Sequence, residues 1–321
     1  MAITTQESLK IFALPSVSEF GSDVLHVIGA TPIALSPNGL ELLVAVSVNS
    51  SASGQKTEYL LCNTQTGAYT RNISAEVGLG DSTTVNITAI DAVWVAGSIV
   101  VAAAYEDLLS GSFSAGYSNS VGLLKADGGF LADVIETTTG EVANGAVTAL
   151  RLDSVGNRIA IETSASNLLI DASDANDSSD IYLLDLNNTT AARISVLADG
   201  TELSSGANLI DLIESTGAEI GVAFETLGSE FAADDTNATN DIYLANSGAI
   251  TLVSQADSGT AQGAEANDAL VYNGKTYYVS SSNNITNDDY DSAADIFVYN
   301  NETNLRVSTA LDQLSIGSSF E

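Results

Sequence analysis

The 321-residue sequence predicts an all-β chain, a β-propeller of four-stranded antiparallel blades with five full repeats of about sixty residues plus a terminal part-blade. Three observations carry that prediction. Short β-forming runs are separated by Gly, Asn, Asp and Ser turns, and helical periodicity is almost absent. One run recurs in near copies, "SDIYLLDL" at 179–186, "NDIYLANS" at 240–247 and "ADIFVYNN" at 294–301. Each copy holds four such runs, the strand count of a propeller blade, whereas a solenoid uses shorter units and a sandwich does not repeat at this period.

Taken in order, "LKIFALPSVSEFGSDV" (9–24) matches the end of the last copy, "LRVSTALDQLSIGSSFE" (305–321), and both read as an outer strand with a loop toward a following blade. "PIALSPNGLELLVAVS" (32–47) reads as two strands about an S-P-N-G turn. In the first two copies "TEYLLCNTQTG" (57–67) and "SVGLLKADG" (120–128) take the place of the DIYL strand. The last three copies open with "AVTALRLDSVG", "NLIDLIESTG" and "DALVYNG". They continue with "NRIAIETSASNLLI", "EIGVAFETL" and "KTYYVSSSNNI", and close with "ARISVL", "AITLVSQ" and "LRVSTA". Anchored on Glu58, Ser120, Asp180, Asp241 and Asp295, successive copies are 62, 60, 61 and 54 residues apart. The expected organisation is one domain over 1–321, with terminal strands in 1–30 and blades near 31–80, 81–142, 143–204, 205–262 and 263–312. The surplus is either an extra terminal strand on a five-bladed ring or the sign of a slice of a longer chain.

Composition narrows the function classes. The chain carries 41 acidic and 9 basic residues, a formal charge of −32, which repels phosphate backbones and anionic headgroups. Nucleic-acid partners and membrane insertion are therefore not expected. The most apolar window, "AVWVAGSIVVAAAY" (92–105), is broken by Gly97-Ser98 and too short to span a bilayer. "MAITTQESLKIFALP" shows no Sec-type signal peptide. Cys62, the one cysteine, sits in an apolar run and reads as an inert core thiol.

The acidic loop before the repeated strand is the main candidate site. Six residues ahead of the anchor stand Asp174, Asp235 and Asp289, four ahead stand Asn176, Asn237 and Asp291, and the anchors are Asp180, Asp241 and Asp295. A hard cation such as Ca²⁺ takes six to eight oxygens, and D-x-[DN] spacing on a tight loop turns alternate side chains to one focus. Asp and Asn also favour tight turns by bonding their own backbone, so the same letters describe a metal-free turn. Both readings stand on the residues alone. The first two copies carry "SSASGQKTE" and "SFSAGYSNS" here and are expected to be metal-free.

The unit S-A-S-N-L … D-x-x-D-x-N-D-x-x-D-I-Y-L-x-D-L … R-I-S … G resembles the blade repeat of TolB-like β-propellers. It is most similar to bacterial surface and type-I-secreted calcium-binding versions bearing D-x-N-x-x-x-D-I-[YF]-[LV]. The resemblance covers roughly 145–310. It implies a propeller with Ca²⁺ at those loops, placed outside the cell or on a cell or virion surface.

Catalytic signatures are sparse. His26 is the sole imidazole, and neither a G-x-S-x-G elbow nor a phosphate loop occurs. Paired carboxylates for glycoside hydrolysis remain, with Asp91, Asp153, Asp211 and Glu214 as inner-strand candidates. Trp94 reads as a packing residue and not as a sugar platform. The expectation is a non-enzymatic extracellular or particle-surface structural or adhesive propeller, stabilised by calcium at D-x-[DN]-x-x-x-D loops, that self-associates or binds another surface protein. The alternatives are a five-bladed propeller glycosidase and a metal-free protein-binding scaffold.

Overall fold

A computed structural model describes residues 24–51, 54–76, 85–107, 118–125, 128–131, 135, 143–168, 174–187, 190–197, 199–214, 220–232, 235, 237–246, 249–256, 265–289, 292–300 and 302–308. The chain divides into two compact units, residues 1–85 and 86–321. The expected all-β class holds: the described strands form five four-stranded antiparallel sheets, beside one helical turn.

In the first unit the sheet runs β1 (Val24–Leu35), β2 (Glu41–Ser50), β3 (Gly54–Asn63), β4 (Tyr69–Asn72), followed by α1 (Ile73–Glu76). The S-P-N-G turn forms as read. The Ser36 hydroxyl donates to Asn38 Oδ1 at 2.8 Å, Glu41 N–H donates to Ser36 Oγ at 2.8 Å, and Gly39 supplies φ +70°. Cys62 is fully buried with Val44, Val46, Val48 and Leu60, and burial pushes its thiol pKa up. That is the environment of an inert thiol. His26 lies exposed on β1.

The second unit repeats that order. β5 (Val85–Val95), β6 (Ser98–Asp107), β7 (Ser118–Leu124) and β8 (Phe130–Leu131) form one sheet. β9 (Val147–Leu152), β10 (Arg158–Thr163), β11 (Asp180–Asp185) and β12 (Thr190–Arg193) form the next. β13 (Ala207–Glu214), β14 (Ile220–Thr226), β15 (Asp241–Asn246) and β16 (Ala249–Leu252) follow. β17 (Ala266–Tyr272), β18 (Lys275–Ser280), β19 (Asp295–Asn300) and β20 (Thr303–Arg306) close the series. Hairpin chemistry sets the registers. Between β17 and β18 the two-residue loop Asn273-Gly274 takes φ +51° and +71°, the mirror-image turn that matches strand twist, and pairs Tyr272 with Lys275.

Sheets of this unit stack face to face, each opening strand lying on its predecessor: β9 on β6 and β7, β13 on β9, β10 and β11, β17 on β13 and β15. Alternation then loads both faces of each sheet with apolar side chains. Ala160 and Ile181 pack with Leu209, Leu212, Val222 and Phe224, and Ile242 and Val253 pack with Ala266, Tyr278 and Phe297. Phe224 stacks on Tyr243 at 5.8 Å with Phe231 edge-on at 5.5 Å, an arrangement that favours aromatic quadrupoles. The last sheet departs from this pattern. Ile181 and Ile242 are 0 % exposed, whereas their counterpart Ile296 is 46 % exposed.

Residues 1–23, most of the expected terminal strand, lie outside the described residues, which begin at β1. Gly145, where the chain enters β9, gives a direct packing test. A Cβ there would stand 2.5 Å from Ala165 N and 2.6 Å from Ser164 C, both backbone atoms. Gly145→Ala should cost about 1–3 kcal/mol in denaturant unfolding.

The acidic loops as candidate functional site

Each acidic loop joins the second strand of a sheet to the third, and hydroxyls close both of its ends. At the exit from the second strand, Thr163 donates to Ala146 O at 2.9 Å and accepts Ala165 N–H at 3.1 Å. Thr226 does the same with Gly206 O and Gly228 N–H, at 2.8 and 3.0 Å. Ser280 accepts Ser282 N–H at 3.1 Å. Mid-loop, the turn chemistry anticipated for D-x-N is present. Asn176 Oδ1 accepts Ser178 N–H at 2.7 Å, and Asn237 Oδ1 accepts Thr239 N–H at 2.9 Å. The residues after these asparagines, Asp177 and Ala238, hold φ +53° and +64°, so both copies make the same left-handed step. Asp291, the counterpart in the last copy, lies outside the described residues.

The anchors sit at the first residue of the third strand and are sealed in: Asp180 and Asp241 are 0 % exposed and Asp295 is 3 % exposed. Each receives a serine hydroxyl from just beyond the fourth strand: Ser195 on Asp180, Ser254 on Asp241 and Ser308 on Asp295. Those same serines accept the next residue's amide, Ile181 N–H at 2.9 Å, Ile242 N–H at 3.1 Å and Ile296 N–H at 3.1 Å. The first unit keeps half of the device, with Tyr59 N–H on Ser74 Oγ at 2.8 Å, while Glu58 pairs with Lys56 at 2.8 Å.

Two arginines complete the loops. Arg193 Nη1 lies 3.2 Å from Asp180 Oδ2 and 2.6 Å from Glu202 Oε1, with its side chain 5 % exposed. Arg306 Nη1 lies 3.0 Å from Asp289 Oδ1 and 3.5 Å from Asp295 Oδ2, with its side chain 4 % exposed. The sheet between them has Leu252 at this position, two residues before Ser254. There the Tyr243 hydroxyl donates to Asp235 Oδ2. Burial, aided by that bond, raises the Tyr243 pKa. Burial also lifts the Asp174 and Asp180 carboxyls, with the Asp180 and Glu202 charges adding to the effect on Asp174. Burial opposes charge on Arg193, yet its bond to Glu202 and the Asp180 charge hold the guanidinium above its ordinary value.

The structure thus brings Asp174, Asn176 and Asp180 together, bonds Asn237 N–H to Asp235 and sets Asp235 and Asp241 about Tyr243, and joins Asp289 to Asp295 through Arg306. Reasoning from sequence missed Ser195, Ser254, Ser308, Arg193, Arg306 and Glu202. The signal was in hand, since R-I-S, L-V-S and R-V-S stand at matching places in the fourth runs.

Inner-strand acids serve the backbone. Asp91 accepts Ala92 N–H and Leu152 N–H, both at 2.8 Å, tying β5 to β9, and burial raises its pKa. Asp211 stands at a register shift in β13 and accepts Leu212 N–H at 2.8 Å, with Arg151 Nε at 3.9 Å. Asp153 caps the β9–β10 turn through Asn157 N–H at 2.6 Å. The Glu214 side chain lies outside the described residues. Glu162 ties β10 to β13 through Leu209 N–H at 2.8 Å, and Trp94 is half-buried on β5.

Ser195→Ala or Ser254→Ala leaves a buried carboxylate oxygen and an amide without their shared partner, and each should cost about 1–3 kcal/mol in denaturant unfolding. A second outcome concerns pH. Burial, then the charges of Glu265, Asp268 and Glu162, raises the Glu225 pKa. Between its unfolded value of about 4.3 and the raised folded value, the folded state holds more protons, so stability falls as pH rises through that window. Glu225→Gln should therefore raise the melting temperature at pH 7, and the gain should vanish below pH about 4, read by melting across a pH series.

No family model and no curated protein sequence matches the chain. Solved structures that resemble it include a prolyl endopeptidase, at 14 % identity and TM-score 0.49, with 90 % of this chain and 36 % of that one covered. TolB from Acinetobacter baumannii aligns at 12 % identity and TM-score 0.37, covering 86 % of this chain and 51 % of that one. The β-propeller domain of the Trilobed protease from Pyrococcus furiosus aligns at 10 % identity and TM-score 0.44, covering 88 % and 84 %. The chain thus spans about a third of the endopeptidase and half of TolB. One of these neighbours is a β-propeller domain, and the three include both a peptidase and TolB.

Proposed function

We propose that the chain is a non-enzymatic structural or adhesive module, built of propeller blades and working outside the cell or on a particle surface. The observation that carries this reading is repetition of the polar machinery. The Asp–Ser–amide clasp is rebuilt in three successive sheets, and in each the carboxylate faces partners from its own sheet. Chemistry on a substrate calls for one site with groups left to face it, whereas a device made once per sheet serves the sheet. Inner-strand acids follow the same logic, because Asp91, Asp153 and Asp211 each hold a peptide N–H. The large negative charge suits a surface kept from collapsing onto its neighbours, with self-association or another surface protein as partner. Among the described residues no helix is long and apolar enough to cross a membrane.

Calcium belongs to the proposal at one loop. Asp235 is 7 % exposed and Asp241 0 % exposed, and Leu252 stands where the flanking sheets have arginine. Two buried carboxylates in one loop suit a cation. Asp235, Asn237 and Asp241 would hold that ion, which would supply positive charge and cross-link the loop to β15.

Two measurements check this reading. Purified protein should bind at most one Ca²⁺ per chain by calorimetry, and Asp235→Asn should abolish that binding. It should also show no turnover on a panel of chromogenic glycosides. Turnover lost in Asp211→Asn would replace the structural reading with a glycosidase.

A further inference from the structure

The loops flanking the middle one carry a different cation. The resemblance implies Ca²⁺ at the D-x-[DN]-x-x-x-D loop of each copy, but in two of them a guanidinium already stands among the carboxylates. Arg306 reaches both the acid six residues before the anchor and the anchor itself, at 3.0 and 3.5 Å. Arg193 reaches its anchor and Glu202, and Glu202 Oε2 in turn accepts Ala175 N–H of the loop at 2.8 Å. Asp180, Asp289 and Asp295 are among the oxygens a metal shell would draw on. A dication set among them would lie within a few ångströms of a buried guanidinium whose side chain is 4–5 % exposed, with little solvent to screen the repulsion. Calcium therefore does not fit these loops while arginine is in place.

We infer that Arg193 and Arg306 are built-in cations that close these two loops, taking the place of the calcium their motif implies. The arginine is supplied by the last residue of the fourth strand. Strand pairing carries it to the loop: Arg193 sits opposite Tyr182, and Arg306 opposite Phe297, two residues into the third strand. In both copies a single guanidinium nitrogen, Nη1, meets two carboxylates. Loop closure then comes with folding of the sheet and is independent of dissolved calcium.

The test is amide hydrogen exchange at Ile181 and Ile296, the residues whose N–H groups the clasps hold, with Ca²⁺ and with chelator. In the unaltered protein protection at both amides should be the same in the two buffers, whatever happens at Ile242. Chelator-induced loss of protection at Ile181 or Ile296 would overturn the inference and leave the proposed function standing. Arg193→Leu, which copies the Leu252 arrangement, should lower the melting temperature on the order of 5–10 °C. It should also deprotect Ile181 while sparing Ile296, and Arg306→Leu should do the reverse. Wild-type protection at Ile181 in Arg193→Leu would overturn the role given to that arginine. If that variant fails to fold, calcium counting decides: Asp174→Asn and Asp289→Asn should leave bound Ca²⁺ unchanged, and a lost ion in either would overturn the inference.

Discussion

Everything in the acidic loops depends on a carboxylate placed where a third strand begins and sealed from water. A charge in that position is stable only if the fold brings donors to it. The fold does so with the serine beyond the fourth strand, which gives its hydroxyl to the acid and takes the neighbouring amide. One side chain thereby fixes the start of the third strand to the end of the fourth, at the place where the sheet turns into the next loop. The Asn turns and the Thr or Ser closures upstream then only have to deliver the chain to that point.

The remaining charge is balanced differently in neighbouring copies. Arg193 and Arg306 bring a permanent cation, and its cost of burial is offset by two carboxylates each. The sheet between them keeps its acids but has Leu252, buried at 4 % exposure in the apolar cluster with Phe224 and Tyr243. There the hydroxyls of Tyr243 and Ser254 meet the acids. A repeat that inherits one loop can therefore settle its electrostatics in more than one way, and an acidic motif alone does not say which. Function therefore has to be argued from the site and not from the fold.

Burial in the sheet stack is equally uneven. The isoleucine after each anchor is fully covered in the third and fourth sheets by the opening strand of the next, whereas Ile296 is 46 % exposed and Val307 49 %. The sequence writes the same apolar letter in all three places, because each strand is built for two packed faces. Whether a cover is present is a property of the neighbour and not of the strand.

Strand identity, the four-run unit, the spacing of copies and the turn residues were legible in the sequence, because each is set by local periodicity and backbone preference. The S-P-N-G turn, the buried Cys62 and the D-x-N turns at Asn176 and Asn237 belong to that class. What the acids bind was not legible. Arg193 is thirteen residues from Asp180, and Glu202 nine further on; only strand pairing and the return of the loop place them within bonding distance. The inner acids show the same limit, since Asp91 and Leu152 are sixty-one residues apart and meet because β9 lies beside the sheet of β5. The number of carboxylates and the loops that carry them were readable from the chain. Tertiary structure alone decided which partners answer them, because charge pairing depends on distance in space and the chain records only distance along itself.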